Sequence, residues 1–411
     1  MASSQYTDLT QLVGVIKETY AKKIKDARVN FTILQDMFKL DDSSPVGNNF
    51  HVPVLLTQSQ ATLYDASGGT RALPVAVAPV SQDAQIPAME LSERMLIPFG
   101  AAVKFDAGGQ VSFISTTTLK MMALNKAAKR QVEWSLLYGG SPVASLSVGS
   151  SATTVTYTMP AGSFGFGYLV GCENQNFDVW DVTGVTQRNT QPLQCTAVDV
   201  EAGTITLKGL AADNLAVQAG DSLWRYLSKG FEITGLQLQI ANTGTIFNIN
   251  AANYSLFRGV TMPAVGNLSA AKVFKAVSKA RNRGADGDMV FLCSANGYAA
   301  LLNDLNAARR QDYTYNKSKM ETGAESVTLY SSNGAIEIIE HPFVKDGDAF
   351  LLPKDEVMRP GLTDVTDNLG GQDLNVMSSS NNAWEFRVFT AQASFLAAPA
   401  HAVYLTGVTY A

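Results

Sequence analysis

The clearest periodic pattern of hydrophobic residues lies between residues 116 and 140, in the stretch TTTLKMMALNKAAKRQVEWSLLYGG. Threonines open this stretch and Gly139 and Gly140 close it, and these residue types commonly start and stop helices. An apolar stripe follows a spacing of three or four residues: Met121, Leu124, Ala128, Val132 and Leu136. Charged residues fall off that stripe: Lys120, Lys126, Lys129, Arg130 and Glu133. The pattern predicts an amphipathic helix about 30 Å long; taken alone, it is typical of an ordinary core helix.

The chain before this helix shows two other patterns. Residues 6–28 predict a docked amphipathic helix, and the segment from His51 to Thr116 predicts strands. Within that segment, QATLYDA and RALPVAVAPV flank the glycine turn SGGT, and prolines 74 and 79 favour an edge position for the second arm. A two-stranded ribbon reaching about 30 Å is marginal by itself, so we expect a neighbouring subunit to hold it. The stretch AAVKFDAGGQVSFI predicts a second hairpin that leads into the helix.

After the helix, residues 141–229 predict an inserted β domain. Four stretches read as short strands with turn signals about every ten residues, which is typical of a small sandwich or barrel: YLVG, VWDVTGVTQ, TAVDVEAGTITLKGL and DSLWRYL. Residues 141–228 carry seven acidic side chains against three basic ones, so this segment holds most of the chain's net charge of −5.

From residue 230 the pattern becomes that of an α/β domain. SAAKVFKAVSKARNRG predicts a helix after Ser269, DMVFLC a buried strand, and SANGYAALLNDLNAARR a second helix capped by Ser294. Strands GAIEIIEH and AFLLP follow, and AWEFRVFTAQASFLAAPAHAVYLTGV predicts two extended runs that return to the body of the molecule.

Composition narrows the classes of protein. A chain of 411 residues exceeds one ordinary hydrophobic core, and a net charge of −5 gives no basic excess for tight DNA binding. Three cysteines without CxxC spacing argue against a disulfide framework or a zinc site and favour a reducing cytoplasm. The sequence shows no signal-peptide pattern, and because it begins at Met1 we expect no removal of an N-terminal propeptide. We expect no membrane association because no apolar run is long enough.

Motifs for catalysis or cofactor binding are weak. His51, His341 and His401 lie far apart in sequence, so core or capping roles are expected rather than a metal site or a general base. GFGYLVG has GxGxxxG spacing with no helix pattern after it, which favours a β turn over a dinucleotide loop. The Asp-Gly pairs near 286 and 346 are typical of turns. We therefore predict no catalytic, cofactor-binding or metal-binding residues.

The order of these parts resembles the major capsid proteins of tailed bacteriophages, whose fold is shared with herpesvirus capsid proteins and encapsulin nanocompartments. The passages that carry the resemblance are VEWSLLYGG, GLQLQIANTGTIFNINAANYSLFRGV, MVFLCSANGYAALLNDLNAARR and EIIEHPFVKDGDAFLLPKDEVMRPG. The resemblance covers most of the chain and rests on the order and spacing of structural motifs.

The resemblance implies an α+β fold with six parts: an N-terminal arm (1–50), an extended hairpin or E-loop with further hairpins (51–115), a spine helix of a peripheral domain (116–140), an inserted β-barrel or sandwich (141–229), an axial α/β domain (230–345) and return strands (346–411). The implied function is a non-enzymatic shell of pentamers and hexamers around double-stranded DNA. Its implied location is the virion, with assembly in the host bacterial cytoplasm.

The resemblance also suggests contact residues and partners. The E-loop tip, Ser67, Gly68, Gly69, Thr70 and Arg71, is expected to contact a neighbouring subunit. Lys126, Lys129 and Arg130 are expected to face the shell interior and touch packaged DNA loosely. Portal protein, and scaffolding or decoration proteins, are further expected partners.

Some relatives crosslink their shells through an E-loop lysine, but no lysine lies between Lys39 and Lys104 here, so no such isopeptide bond is expected. Two alternatives stay open: a nanocompartment shell with the same fold, and an α+β enzyme of unrecognised type.

Overall fold

The computed structural model describes residues 32–42, 48–65, 69–98, 110–304, 327–331, 334–369, 372–373, 376–377 and 382–410. The predicted helix at 6–28 lies outside this part of the chain. The described helices are Ile33–Met37, Gln110–Tyr138, Phe166–Leu169, Ala211–Ala216, Leu236–Ile240, Ala270–Arg281 and Ala295–Asn303. None of them is long and apolar enough to cross a membrane.

Sheet I packs against the long helix. Its strands are Leu40–Asp42, Met89–Pro98, Val357–Thr366, Val376–Met377, Ala383–Gln392 and Phe395–Leu396. The strand Ala383–Gln392 pairs along its whole length with Met89–Pro98 in antiparallel register. Leu124 and Ala128 of the helix are buried together with Val388 of this sheet. The apolar stripe of the helix therefore packs on the apolar face of sheet I, and this packing buries both surfaces.

Sheet II belongs entirely to the segment predicted as an insertion. Its strands, in spatial order, are Ala144–Ser145, Ser222–Arg225, Asn176–Trp180, Leu193–Asp199, Thr204–Lys208 and Thr154–Thr158. Beyond the first strand, Leu146 N still donates to Asp221 O, and Ser147 N donates to Thr158 O at 3.0 Å. Because Thr158 ends the last strand, this bond brings the two edges of the sheet together. This sheet, whose two edges meet at that bond, is called the barrel below.

Sheet III carries the α/β pattern. Its spatial order is Thr261–Met262, Val403–Thr406, Asp348–Pro353, Met289–Cys293, Gly334–Glu340 and Val327–Ser331. All five residues of Met289–Cys293 are buried, as the apolar run predicts. Ser294 caps the helix that follows, because its side chain accepts a hydrogen bond from Gly297 N at 3.3 Å. That predicted helix ends at Asn303 within the described residues.

Four two-stranded ladders complete the strands: Asn49–Leu55 with Ser81–Pro87, Thr245–Ile246 with Ile249–Asn250, Gly266–Asn267 with Val408–Thr409, and Asn368–Leu369 with Gln372–Asp373. Short 3₁₀ turns lie at Ser255–Phe257 and Pro399–His401.

The long helix begins earlier than its sequence pattern indicates. It starts at Gln110, so the predicted second hairpin is wrong over residues 110–114, while residues 101–109 lie outside the description. The β-branched residues in QVSFISTTT lower helix propensity by only tenths of a kcal/mol each. Extending an existing helix costs less than starting one, so the helix continues through them.

A predicted strand at YLVG is also wrong. Phe166–Leu169 is a short helix that ends before Gly171, which has a φ of +78°. Arg130 stabilises this short helix, because its Nη2 donates to the carbonyl oxygens of Gly167, Tyr168 and Val170. The guanidinium thus satisfies carbonyls that a short helix leaves without partners.

Candidate functional site

Among the described residues, the longest run of exposed positions lies mainly in the segment from residue 56 to residue 80, here called the ribbon. Its base is the antiparallel ladder of Asn49–Leu55 with Ser81–Pro87. Farther out, the predicted strands QATLYDA and RALPVAVAPV form a single bridge, Gln60 with Val77, and no regular ladder in the part of the ribbon that is described. Prolines at 74 and 79 explain this difference, because each lacks the N–H that a ladder requires.

Apolar side chains on the ribbon face solvent in the isolated chain. Tyr64, Leu73 and Val75 are 80%, 83% and 89% exposed, and Leu63, Val77 and Val80 are also exposed. Arg71 joins the two arms, because its Nη1 donates to Tyr64 O at 2.7 Å. Burying one such side chain contributes about 1.5–3 kcal/mol. The ribbon therefore carries apolar surface that this chain does not bury itself.

The predicted tip of the ribbon is described in part. Gly69, Thr70 and Arg71 are exposed, whereas Ser67 and Gly68 lie outside the described residues. Their contact with a second subunit stays a prediction.

The structure separates the three basic residues predicted to face DNA. Lys129 is exposed, Lys126 is half-buried, and Arg130 is half-buried with its guanidinium on the carbonyls of residues 167–170. Arg130 also lies 5.6 Å from the centre of the Tyr168 ring. Its contacts give Arg130 a structural role at the junction of helix and barrel.

The sequence pattern predicts that Glu133 lies on the solvent-exposed side of the long helix, and the structure shows that this prediction is wrong. Glu133 is fully buried, and every residue from Gln131 to Gly139 is buried as well. Its carboxylate accepts hydrogen bonds from Leu34 N at 2.6 Å, Gln35 N at 3.2 Å and Gln35 Nε2 at 2.9 Å. A buried carboxylate requires such donors, and here they come from the short helix Ile33–Met37 of the N-terminal arm.

His341 completes the Glu133 cluster. Its Nε2 lies 3.0 Å from Glu133 Oε1, while its Nδ1 accepts from Phe343 N at 3.1 Å. Because Nδ1 accepts, the proton lies on Nε2 and is donated to Glu133. His341 is thus a core residue, as expected, with Glu133 as its hydrogen-bond partner.

The two other histidines also pair with carboxylates. His51 lies 2.5 Å from Asp83 at the base of the ribbon, and His401 Nδ1 lies 2.7 Å from Glu356. The Glu356 hydrogen bond raises the pKa of His401. Within the described ranges, no three His, Cys, Asp or Glu side chains come together as metal ligands.

A second buried charge cluster lies where the helix ends. Lys345 Nζ donates to Pro142 O at 2.8 Å and lies 4.9 Å from the centre of the Tyr138 ring. Tyr138 OH donates to Asp348 Oδ2 at 3.0 Å. Burial lowers the pKa of Lys345 to about 8 and raises the pKa of Asp348. These side chains join the end of the helix, the start of the barrel segment and sheet III.

A polar cleft separates the helix from the barrel. Its volume is about 340 Å³, and its charged lining residues are Glu93, Lys126, Arg130 and Arg225. Sequence patterns did not indicate Arg225, because a lone arginine in a strand has no periodic signature.

Comparisons with known proteins identify the fold. No family model matches the sequence, and no curated protein matches it either. A chain of the Cyanophage A-1(L) capsid asymmetric unit superimposes with a TM-score of 0.56 at 11% identity, covering 97% of this chain and 98% of that chain. The capsid of the native GTA particle gives 0.53 at 11% identity, covering 98% and 100%. The capsid of the empty GTA particle gives 0.51 at 10% identity, covering 97% of each. This chain therefore has the fold of phage and GTA capsid subunits, and the tailed-phage capsid fold predicted from its sequence is confirmed.

Proposed function

We propose that this protein is a major capsid protein that assembles into the icosahedral head shell of a tailed bacteriophage and encloses its double-stranded DNA. It has no catalytic role in this proposal. Assembly takes place in the host bacterial cytoplasm, and the mature location is the virion.

The exposed ribbon is the observation that carries this proposal. Its apolar side chains gain free energy only when another surface covers them. In a closed shell each subunit offers the same ribbon to a neighbour, so heterologous contacts close into rings of five and six. Gly69, Thr70 and Arg71, with Ser67 and Gly68, form the tip of this contact. Because the ribbon has no lysine, the contact is non-covalent.

The proposal divides the chain as the resemblance implies, with the start of the spine helix corrected to Gln110. The parts are an arm (1–50), an E-loop segment (51–109), a spine helix with its terminal turn (110–140), an inserted barrel (141–229), an axial domain (230–345) and return strands (346–411). The exposed side of the spine helix faces the interior, where Lys126 and Lys129 contact DNA weakly. Each phosphate neutralised adds salt-dependent affinity, so few contacts leave the genome free to enter and exit. A portal protein completes the shell, and scaffolding or decoration proteins are further partners.

Negative-stain electron microscopy of the expressed full-length protein tests the proposal. Closed particles of uniform diameter are expected, and a small discrete species at high concentration would contradict it and favour the enzyme alternative. Nuclease-protected DNA in particles from the native source separates the phage head from a nanocompartment. Particles that contain a protein cargo and no DNA would favour the nanocompartment.

A further inference from the structure

The cleft between the long helix and the barrel brings together basic side chains from two elements. Lys126 and Arg130 come from the helix Gln110–Tyr138, and Arg225 comes from the barrel strand Ser222–Arg225. Glu93, from the sheet I strand Met89–Pro98, is the one carboxylate among the described lining residues. The charged lining therefore consists of three basic side chains and one carboxylate.

Arg225 is the least satisfied of these groups. Its side chain is only 22% exposed, and its nearest carboxylate oxygen, Glu93 Oε1, lies 3.7 Å from Nη2, beyond hydrogen-bond distance. Among the residues that the structure describes, no acceptor forms a hydrogen bond with this guanidinium. A guanidinium has five N–H donors, and this one is partly buried, so it favours an acceptor group with several oxygen atoms.

Arg130 adds a charge without a carboxylate partner in the described residues. Its Nη2 donates to three backbone carbonyls, which are neutral, and its Nε is buried without a hydrogen-bond partner in this part of the chain. The positive charge of Arg130 is thus held in place at the wall of the cleft. Two amide side chains, Gln175 and Asn176, line the same space and can donate further hydrogen bonds.

We propose that this cleft binds a phosphate group, as a small free anion such as pyrophosphate or as a phosphate at the end of a nucleic acid. Arginine binds phosphate through paired N–H donors, and partial burial strengthens the attraction of the charges. Because its binding residues come from the helix and the barrel, the bound group fixes one relative to the other. This inference is independent of shell formation.

Titration of the purified full-length protein with pyrophosphate, followed by calorimetry and by the thermal unfolding midpoint, tests the proposal. We expect saturable binding that Arg225→Gln weakens by roughly tenfold or more, since it removes the charge and the paired donors. Arg225→Lys keeps the charge and loses the fork, so it is expected to bind with intermediate affinity. Lys208→Gln is the matched control, because it removes one exposed positive charge from the barrel outside the cleft.

Glu93→Gln separates binding from a merely structural role. It removes the one repulsive charge of the described lining, so pyrophosphate is expected to bind several times more tightly. If Arg225 and Glu93 served only as an ion pair that holds the strands together, Glu93→Gln would not improve binding. Absence of saturable binding, or equal loss in Lys208→Gln and Arg225→Gln, would overturn the proposal. A short DNA strand that pyrophosphate displaces would support the site and identify DNA as the source of the phosphate.

Discussion

Glu133 shows how one buried side chain attaches a distant segment to the core. Its carboxylate binds two backbone N–H groups and one side-chain amide of residues 34 and 35, together with His341. On the other side of the same segment, buried Arg359 donates to the carbonyl oxygens of Gln35 and Phe38 at 3.1 and 3.3 Å. The side chains of Glu133 and Arg359 thus hold the backbone of residues 34–38, near the end of the N-terminal arm.

Replacing Glu133 by glutamine is expected to lower the free energy of unfolding by about 2–4 kcal/mol, because an amide accepts fewer bonds and leaves buried donors unpaired. Hydrogen exchange at Leu34 and Gln35 should increase more than exchange in sheet III. Glu337→Gln is the control, since its exposed pair with Lys354 is worth less than about 1 kcal/mol. Equal effects of the two substitutions would contradict the assigned role of Glu133.

Lys345 predicts a pH dependence of stability. Its pKa falls from 10.5 to about 8 on folding, so between these values the unfolded chain binds more protons than the folded one. The free energy of unfolding contributed by this group therefore rises as the pH rises from about 8 to 10.5, and the full cost of burying the charge is present below pH 8. Burial raises the pKa of neighbouring Tyr138 and Tyr404, which keeps them protonated in this range.

Denaturation of the wild type and Lys345→Met across this pH range measures the effect. The wild type should gain up to about 3 kcal/mol relative to the variant between pH 8 and 10.5. Other titrating groups cancel in the difference between the two proteins. Parallel stability curves would show that Lys345 does not titrate as its burial indicates.

At the scale of elements, glycines allow the long helix to end against the returning chain. A Cβ on Gly139 would lie 2.1 Å from Ile233 O and 2.4 Å from Ser135 O, whereas Gly235 N donates to Gly139 O at 2.9 Å. Moving backbone atoms aside is costly, so only glycine fits between the helix end and residues 233–235. The double glycine that marks the end of the helix in sequence is thus also a packing requirement.

Gly139→Ala is expected to cost about 3 kcal/mol or more, or to prevent folding, because both close contacts involve backbone oxygens. Gly220→Ala is its control. Gly220 has a φ of +88°, and no atom of the described residues lies within 4 Å of the place that its Cβ would take, so strain alone costs about 1–2 kcal/mol. Soluble yield and thermal unfolding would compare the two. A milder effect at Gly139 than at Gly220 would contradict the packing argument.

For the assembled particle, substitutions on the ribbon are expected to prevent assembly without affecting the folding of the subunit. Val75→Asp places a charge on a side chain that is 89% exposed, so the subunit should fold with unchanged stability. Burying that charge between subunits is costly, and particle formation should be lost. Val182→Asp, on an exposed barrel residue, is the control and should still assemble. Light scattering and electron microscopy measure the outcome; assembled Val75→Asp particles would refute the contact.

The absence of lysine from the ribbon predicts non-covalent shells. Denatured particles should give one mass near 43.9 kDa, the mass of a single chain. A ladder of covalent oligomers in intact-mass spectra would show that another residue supplies a crosslink.

Elements with a local signal could be predicted from the residue pattern. The apolar stripe at Leu124, Ala128 and Val132, the buried strand Met289–Cys293 and the Ser294 cap all follow from spacing and residue type, and the structure has each of them. The order and spacing of these elements carry the resemblance to capsid proteins from which the fold was predicted. Such patterns are readable because helix and strand periodicity repeats within a few residues.

The pairing of polar groups that are distant in sequence is visible only in the folded molecule. Glu133 lies 99 residues from Leu34 and 208 from His341 in sequence, and no periodicity reports a partner at that distance. The same holds for Arg130, which donates to carbonyl oxygens of a short helix where the sequence predicted a strand. It also holds for Arg225 at the cleft. A charged side chain off an apolar stripe reads as solvent-facing, but burial depends on donors that arrive from elsewhere in the chain, and only the folded structure brings them together.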